Sequence, residues 1–286
     1  MDIVINLNKP KEISSQQAVI KVKKIFAARK AGHAGTLDPI ATGILIVCLN
    51  EATKITRFLS DLDKEYIVKL KLGERTDTYD LTGKLLEIRD FSSIKEPDIH
   101  NVLKKFTGEI KQMPPMYSAI KVKGKPLYKL ARTGIEIQRP KRTVNIYTID
   151  LISLSQPYLD LKVSCSKGTY IRTLCDDIGK ALGSGAHMIS LERTRIGKFR
   201  IDESLSIEEL RWENDARYSI DSALSHMNEI ILQEDLYQRA KKGLPVILIT
   251  ENQSLNQYVR LKNLEKKLFG IGRVELNKIT IERLLN

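Results

Sequence analysis

A chain of 286 residues, 42% of them hydrophobic, can bury a full core and is too apolar to be disordered; it has room for one large domain or a large one with a small companion. No apolar run reaches the ~18 residues of a membrane helix, and Met1 to Asn6 lacks the charged lead of a secretory signal, so a cytoplasmic location is expected. The net charge of +12 is concentrated: residues 9–30 carry seven Lys/Arg against one acid and residues 111–142 nine against one, which leaves the rest near neutral and suits a polyphosphate partner.

The first strand is expected at Asp2 to Leu7, ended by Lys9-Pro10. Ser14-Ser15 can cap a helix to about Ala28, whose Ala18, Val19, Val22, Ile25 and Phe26 follow helical spacing. A loop from Gly32 through Pro39 precedes a fully apolar strand, Ile44 to Leu49, and a helix from about Glu51 to Leu59. Tyr66, Val68, Leu70 and Leu72 alternate with polar neighbours, as in a half-buried strand. Residues 76–83 form a turn-rich connector before a strand at Lys84 to Ile88, and residues 97–106 read as a helix. Lys123-Gly124-Lys125 marks a turn before a short helix ended by Gly134. Strands follow at Val144–Ile152 and Leu159–Cys165, then a helix from Thr169 to Leu182 closed by Gly183. Ser206 and Glu209 have capping-box spacing for a further short helix. Beyond residue 227 a helix at 235–242 and strand-like runs Val246–Ile249, Tyr258–Leu261 and Phe269–Leu276 suggest a small β-rich module.

Asp38 is the sharpest candidate for chemistry. Two glycines precede it, a proline follows it, and a buried strand lies just downstream, an arrangement that can hold a short carboxylate at the end of a rigid element. A local turn before proline accounts for the same residues. Tyr66 sits on the buried face of its strand, where its hydroxyl needs a partner, or is simply a core tyrosine. Tyr170 and Arg172 open a helix after Ser166-Lys167-Gly168, where an anion could be met; the alternative is a packed ring and a surface cation. Cys48, Cys165 and Cys175 read as inert buried thiols, and the four histidines lack metal-ligand spacing. The phosphate-loop, dinucleotide, nucleophile-elbow and deaminase motifs are all missing, so an enzyme here would work with carboxylate, phenol and guanidinium, with neither metal nor organic cofactor.

These residues carry a family resemblance. Gly32-His33-Ala34-Gly35-Thr36-Leu37-Asp38-Pro39, with Ala41-Thr42-Gly43, resembles the signature motif of the TruB family of tRNA pseudouridine-55 synthases, bacterial type. Leu7-Asn8-Lys9-Pro10, Asp63-Lys64-Glu65-Tyr66, Leu72-Gly73 with Thr76-Asp77-Thr78, Pro115 to Ala119, Cys165 to Arg172 and Gly185-Ala186-His187 resemble further family motifs, in order, over roughly residues 4–200. The resemblance implies an α+β fold: a mixed, largely antiparallel pseudouridine-synthase-like sheet with flanking helices over residues 1–226, and a small PUA-like RNA-binding module over 227–286. It implies Asp38 as the essential carboxylate, Arg172 as its partner and Tyr66 as the ring that stacks on uracil and takes the C5 proton. Tyr170, Leu191, His33, Lys9 and Pro10 would shape the substrate pocket. The basic stretch 111–142, with Lys121, Lys123, Lys125, Lys129 and Arg132, would be an insertion that grips RNA. Arg172 beside Asp38 is expected to lower the carboxyl's pKa. The implied partner is tRNA, met by a monomer with no guide RNA and no membrane. The competing readings are a non-catalytic RNA-binding protein or chaperone and a guide-RNA-dependent relative.

Overall fold

The computed structural model describes residues 2–118, 120–122, 124–211, 216–247 and 257–285. Lys123 and the side chains of Lys121 and Arg132, all expected RNA contacts, lie outside the described residues. The chain begins with β1 (Ile3–Lys9), α1 (Ser15–Ile25), β2 (Ala31–Ala34) and β3 (Thr42–Leu49). A 3-10 turn, Asn50–Ile55, leads into α2 (Thr56–Ser60), then β4 (Lys64–Leu72), β5 (Glu74–Thr76), β6 (Leu85–Ile88), α3 (Glu96–Lys105) and β7 (Gly108–Gln112). The basic stretch adds β8 (Lys121–Val122), β9 (Lys125–Pro126) and α4 (Leu127–Arg132). Then come β10 (Arg142–Ser155), β11 (Tyr158–Cys165), α5 (Ile171–Ala181), β12 (Ala186–Ile196), β13 (Phe199–Arg200), β14 (Arg217–Ser219) and α6 (Ile220–Ala223). The tail holds β15 (Glu229–Ile231), α7 (Glu234–Lys241), β16 (Val246–Ile247), β17 (Tyr258–Lys262), β18 (Leu268–Glu275) and β19 (Lys278–Leu284).

The large sheet runs β14-β1-β3-β12-β4-β11-β10-β7, with β2 also on β3 and β13 on β12. Every pairing is antiparallel except β3 with β12, which meet in parallel at Thr42 and Gly43 opposite Glu192 and Arg193. Two antiparallel halves therefore join at the middle of the sheet. The edge of β3 is shared there: β2 pairs Ala31–Ala34 with Leu49–Ile46, and β12 takes over at Gly43 and Thr42. Residues 35–41 leave the sheet at this handover, so the Asp38 loop springs from its centre.

Burial explains why β3 lacks alternation. Leu45, Val47 and Leu49 pack against Ala18, Val19 and Val22 of α1, while Ile44, Ile46 and Cys48 pack on the other face with Ala52, Ile55 and Phe58. β4 shows the opposite pattern: Tyr66, Val68, Leu70 and Leu72 join a core capped by α3 and α5, while Lys69 and Lys71 stay outside. All three cysteines are buried and free.

Several local expectations change. The signature stretch is not loop from Gly32; residues 32–34 already pair with β3. The first helix stops at Ile25, since Ala27 turns to φ 43. Residues 51–59 split into the 3-10 turn and the short α2. Ser206 and Glu209 exchange their capping bonds, but over a turn rather than a helix. In the tail, β15-β17-β18-β19-β16 form a second sheet around Leu232, Ala240, Val259, Leu261 and Ile279. Ile271, Tyr258 and Leu285 of this tail pack into the same cluster as Val4, Ile46 and Phe58.

Candidate active site

The Asp38 loop is fixed at both ends and in its middle. Ser15 Oγ donates to the carbonyl of Leu37 at 3.0 Å and accepts from its amide at 2.8 Å, so a residue placed to start α1 also clamps the loop. The Glu12 amide donates to the Pro39 carbonyl at 2.7 Å, and the Ala41 amide to the Asp38 carbonyl at 3.1 Å. Leu37 and Ala41 are buried against Tyr66 and Leu191. Gly43 admits no side chain: its φ is +93, and a Cβ would lie 2.4 Å from the Arg193 carbonyl oxygen.

Arg172, on the first turn of α5, meets Asp38 side-on. Its Nε lies 2.8 Å from Oδ2, and one terminal nitrogen donates to Oδ1 at 3.0 Å, the two-pronged geometry that makes an Arg–carboxylate pair strong and directional. The same nitrogen donates to the Tyr117 carbonyl at 2.8 Å; the other donates to the Thr78 carbonyl at 3.2 Å and stands 3.6 Å from Asp80 Oδ2. Four hydrogen-bond-range contacts and one longer ion pair thus spread a buried guanidinium over four groups. α5 itself is anchored by Gln112, whose amide accepts from the Tyr170 amide at 3.0 Å and donates to its carbonyl at 3.3 Å.

Asp38 is not the pocket's sole carboxylate. Asp80 is buried and held by Thr78 Oγ1 at 2.8 Å, Thr82 Oγ1 at 2.6 Å and the Thr82 amide at 2.9 Å. The expected lowering of the Asp38 pKa is reversed. Burial pushes its carboxyl above the usual carboxylate range; Arg172 pulls it down, Asp80 pushes it up further, and Lys9 pulls it down again. A third of the Asp38 side-chain surface still meets solvent. The pocket is thus open on one side while protein encloses the rest, and desolvation outweighs one guanidinium that two carboxylates share.

The remaining candidates surround this pair. Lys9 is fully buried, donates to the carbonyls of Pro10 at 2.8 Å and Ile13 at 2.9 Å, and has its pKa lowered to about 8 by burial, with Asp38 opposing. Pro10 is half-buried beside it. His33 lies on β2 with a buried Nδ1 that has no hydrogen-bond partner among the described residues; burial, then Arg193, lower its pKa. Tyr170 caps α5 and burial raises its pKa. Tyr66 is buried; burial raises its pKa and the charge of Arg193 pulls it down. Lys125 and Lys129 are exposed on the basic stretch. Among the described residues, no group of three His, Cys, Asp or Glu could hold a metal, and no helix is long and apolar enough to cross a membrane.

Comparison with known proteins places the chain in a family. Residues 23–171 match the TruB family pseudouridylate synthase (N terminal domain), and residues 172–232 match the tRNA pseudouridylate synthase B C-terminal domain. The chain belongs to the TruB family of pseudouridylate synthases. It is 45% identical to tRNA pseudouridine synthase B of Clostridium tetani over all of both chains. It is 41% identical to that of Haemophilus influenzae, over all of this chain and 95% of the relative. Among solved structures it resembles one in a Cbf5-Nop10-Gar1 complex, with TM-score 0.76 and 27% identity over 99% of this chain and 84% of that one. This TruB chain therefore has the pseudouridine-synthase fold expected from its motifs, and it is an enzyme. Asp80, Gln112 and Arg193 escaped the reading of the sequence. Asp80 carried a signal in its flanking threonines, which can satisfy a buried carboxylate; Gln112 carried none.

Proposed function

We propose that this enzyme converts uridine to pseudouridine in the T-arm loop of tRNA, at position 55, and that it does so alone, as a monomer without a guide RNA. The observation that carries the reading is the fork between Arg172 and Asp38 at 2.8 and 3.0 Å, set at the central junction of the sheet and open to solvent on one side. A binding protein has no need of a half-buried carboxylate held by a two-pronged guanidinium.

The reaction breaks the N1–C1′ bond, turns the uracil and joins C5 to C1′; C5 gives up a proton and N1 gains one, so the atoms balance without an oxidant or reductant. The target base is hidden in a folded loop and must flip out at a cost of a few kcal/mol, offset by stacking on an aromatic face worth roughly 1–3 kcal/mol. In this scheme Tyr66 provides that face, and its oxygen, as phenolate, takes the C5 proton. Asp38 acts as the anion at the sugar or base, and Arg172 keeps it aimed and ionised. Tyr170 and Leu191 line the uracil, Lys9 and Pro10 support the Asp38 loop, and His33 holds the RNA around the flipped base. Lys121, Lys123, Lys125, Lys129 and Arg132 grip the RNA backbone from the insertion, and residues 227–286 add a second RNA surface beside the catalytic part, residues 1–226.

The test is purified protein with a naked tRNA transcript. Pseudouridine at position 55 with no other macromolecule present is the expected result. Modification only after a second RNA is added would favour a guide-dependent enzyme, and binding without modification would favour an RNA-binding protein.

A further inference from the structure

Arg193 is the largest side chain buried at below 2% exposure, and nothing in the scheme above uses it. It stands on β12 in the row that crosses the sheet's centre, opposite Gly43 on one side and Tyr66 on the other. Its Nε donates to the Ile44 carbonyl at 2.8 Å and a terminal nitrogen donates to the Gly35 carbonyl at 2.9 Å. The carbonyls of Gly35, at the start of the Asp38 loop, and of Ile44, just beyond it, thus fix the guanidinium, and the group so held belongs to the residue directly across the strand pair from Tyr66. A buried cation with two backbone bonds and, among the described residues, no carboxylate partner is costly; a fully buried apolar residue in the same row would avoid that cost.

We infer that Arg193 is a positioning residue for the reaction: it orients the Tyr66 oxygen and supplies the positive charge that oxygen faces as phenolate. The inference rests on Tyr66 being the C5 base. The phenol first loses its proton to solvent, the phenolate takes the proton from C5, and C5 regains its ring double bond with the electron pair left behind. Burial opposes the phenolate, and three charged or titratable groups act on Tyr66 most strongly. They are Arg193 on β12, the Cys165 thiol on β11, whose pKa burial raises to about 11, and Asp38 on its loop. Of these, Arg193 alone stabilises a negative oxygen. Lys64, on β4, points its ammonium to the Ser60 and Leu62 carbonyls.

The test measures single-turnover release of tritium from tRNA labelled at uridine C5, as a function of pH, with circular dichroism and tRNA affinity for each variant. Arg193→Gln should slow release at neutral pH by roughly tenfold or more and move the rising limb of the pH profile up by about one unit or more, the effect of losing one adjacent opposite charge. Arg193→Lys keeps the charge with the least disturbance of the fold. It should hold the limb near its wild-type position, lower the plateau, and have an effect several-fold smaller once Tyr66 is replaced by Phe. An unchanged limb in folded Arg193→Gln, a limb displaced equally by Lys and Gln, or an equal loss from Arg193→Lys with and without Tyr66 would each overturn the inference. Near-normal release by Tyr66→Phe alone would remove the base assignment itself and is distinguishable from all of these.

Discussion

The pocket around Asp38 and the basic stretch around Lys125 and Lys129 are both rich in cations, yet they are built in opposite ways. In the pocket, Arg172, Arg193 and Lys9 are buried and every described bond they make is to a carboxylate or a carbonyl of the chain. On the basic stretch, Lys125 and Lys129 are exposed, and the supporting elements are a hairpin of two two-residue strands and a six-residue helix. Buried charges with fixed partners hold a reacting group to a fraction of an ångström, which is what bond breaking needs. Exposed charges on short elements can follow a phosphate backbone, which is what grip needs. The difference teaches that charge density alone says little; how each charge is satisfied separates chemistry from binding.

The strongest way to break that comparison is Asp38→Asn. Turnover should fall by on the order of 10³-fold or more, leaving the residual that binding alone supports, while tRNA affinity changes little. Substantial pseudouridine formation by the variant would show that the buried pair is structural. Next is Gly43→Ala, whose methyl would press on the Arg193 backbone at a φ that side chains avoid. A loss of about 3 kcal/mol or more of stability is expected, as for strain at a special backbone position. An unaltered unfolding midpoint would mean that β3 and β12 are not locked together here.

A smaller and sharper effect concerns pH. In the proposed scheme Asp38 acts ionised, and burial raises its pKa above the usual carboxylate range, so the rate should fall as pH drops through that raised value, earlier than for an ordinary carboxylate. Asp80 contributes to the rise, so Asp80→Asn should move the acid limb to lower pH, with a rate loss of roughly tenfold from a looser Arg172. A limb that moves upward would reverse the account of this pair. The mildest change is Lys125→Ala with Lys129→Ala. Each lost phosphate contact should flatten the log–log salt dependence of tRNA binding by about 0.7–0.9, and an identical slope would remove these lysines from the interface.

Much of this was legible in the sequence where one periodicity ruled a segment. β4 alternates because one face is core, and β3 does not because both faces are. β12 was not anticipated at all, although it carries Leu191 and Arg193 and joins the sheet's halves. Its pairing with β4 shifts register between Met188 and Ser190 and again between Arg193 and Arg195, so the two-residue period is broken twice within eleven residues. It also buries an arginine whose partners are backbone carbonyls, and no residue pattern announces those. Asp38, Tyr66 and Arg172 became candidates through their motifs; that Arg172 is shared by two carboxylates required the connector at 76–83 to fold back against α5, a contact between residues more than ninety apart.

The most direct test of the division between chemistry and grip is one experiment on four proteins: wild type, Asp38→Asn, the Lys125→Ala/Lys129→Ala pair and all three changes together. Dissociation constants and single-turnover rates at saturating protein would be measured on the same naked tRNA. The account predicts that Asp38→Asn changes the rate and not the affinity, that the lysine pair changes the affinity and not the rate, and that the combined protein shows both losses independently. If the lysine pair slows the saturated rate as Asp38→Asn does, or Asp38→Asn weakens binding as the lysine pair does, the two regions do not divide the work and the account is wrong.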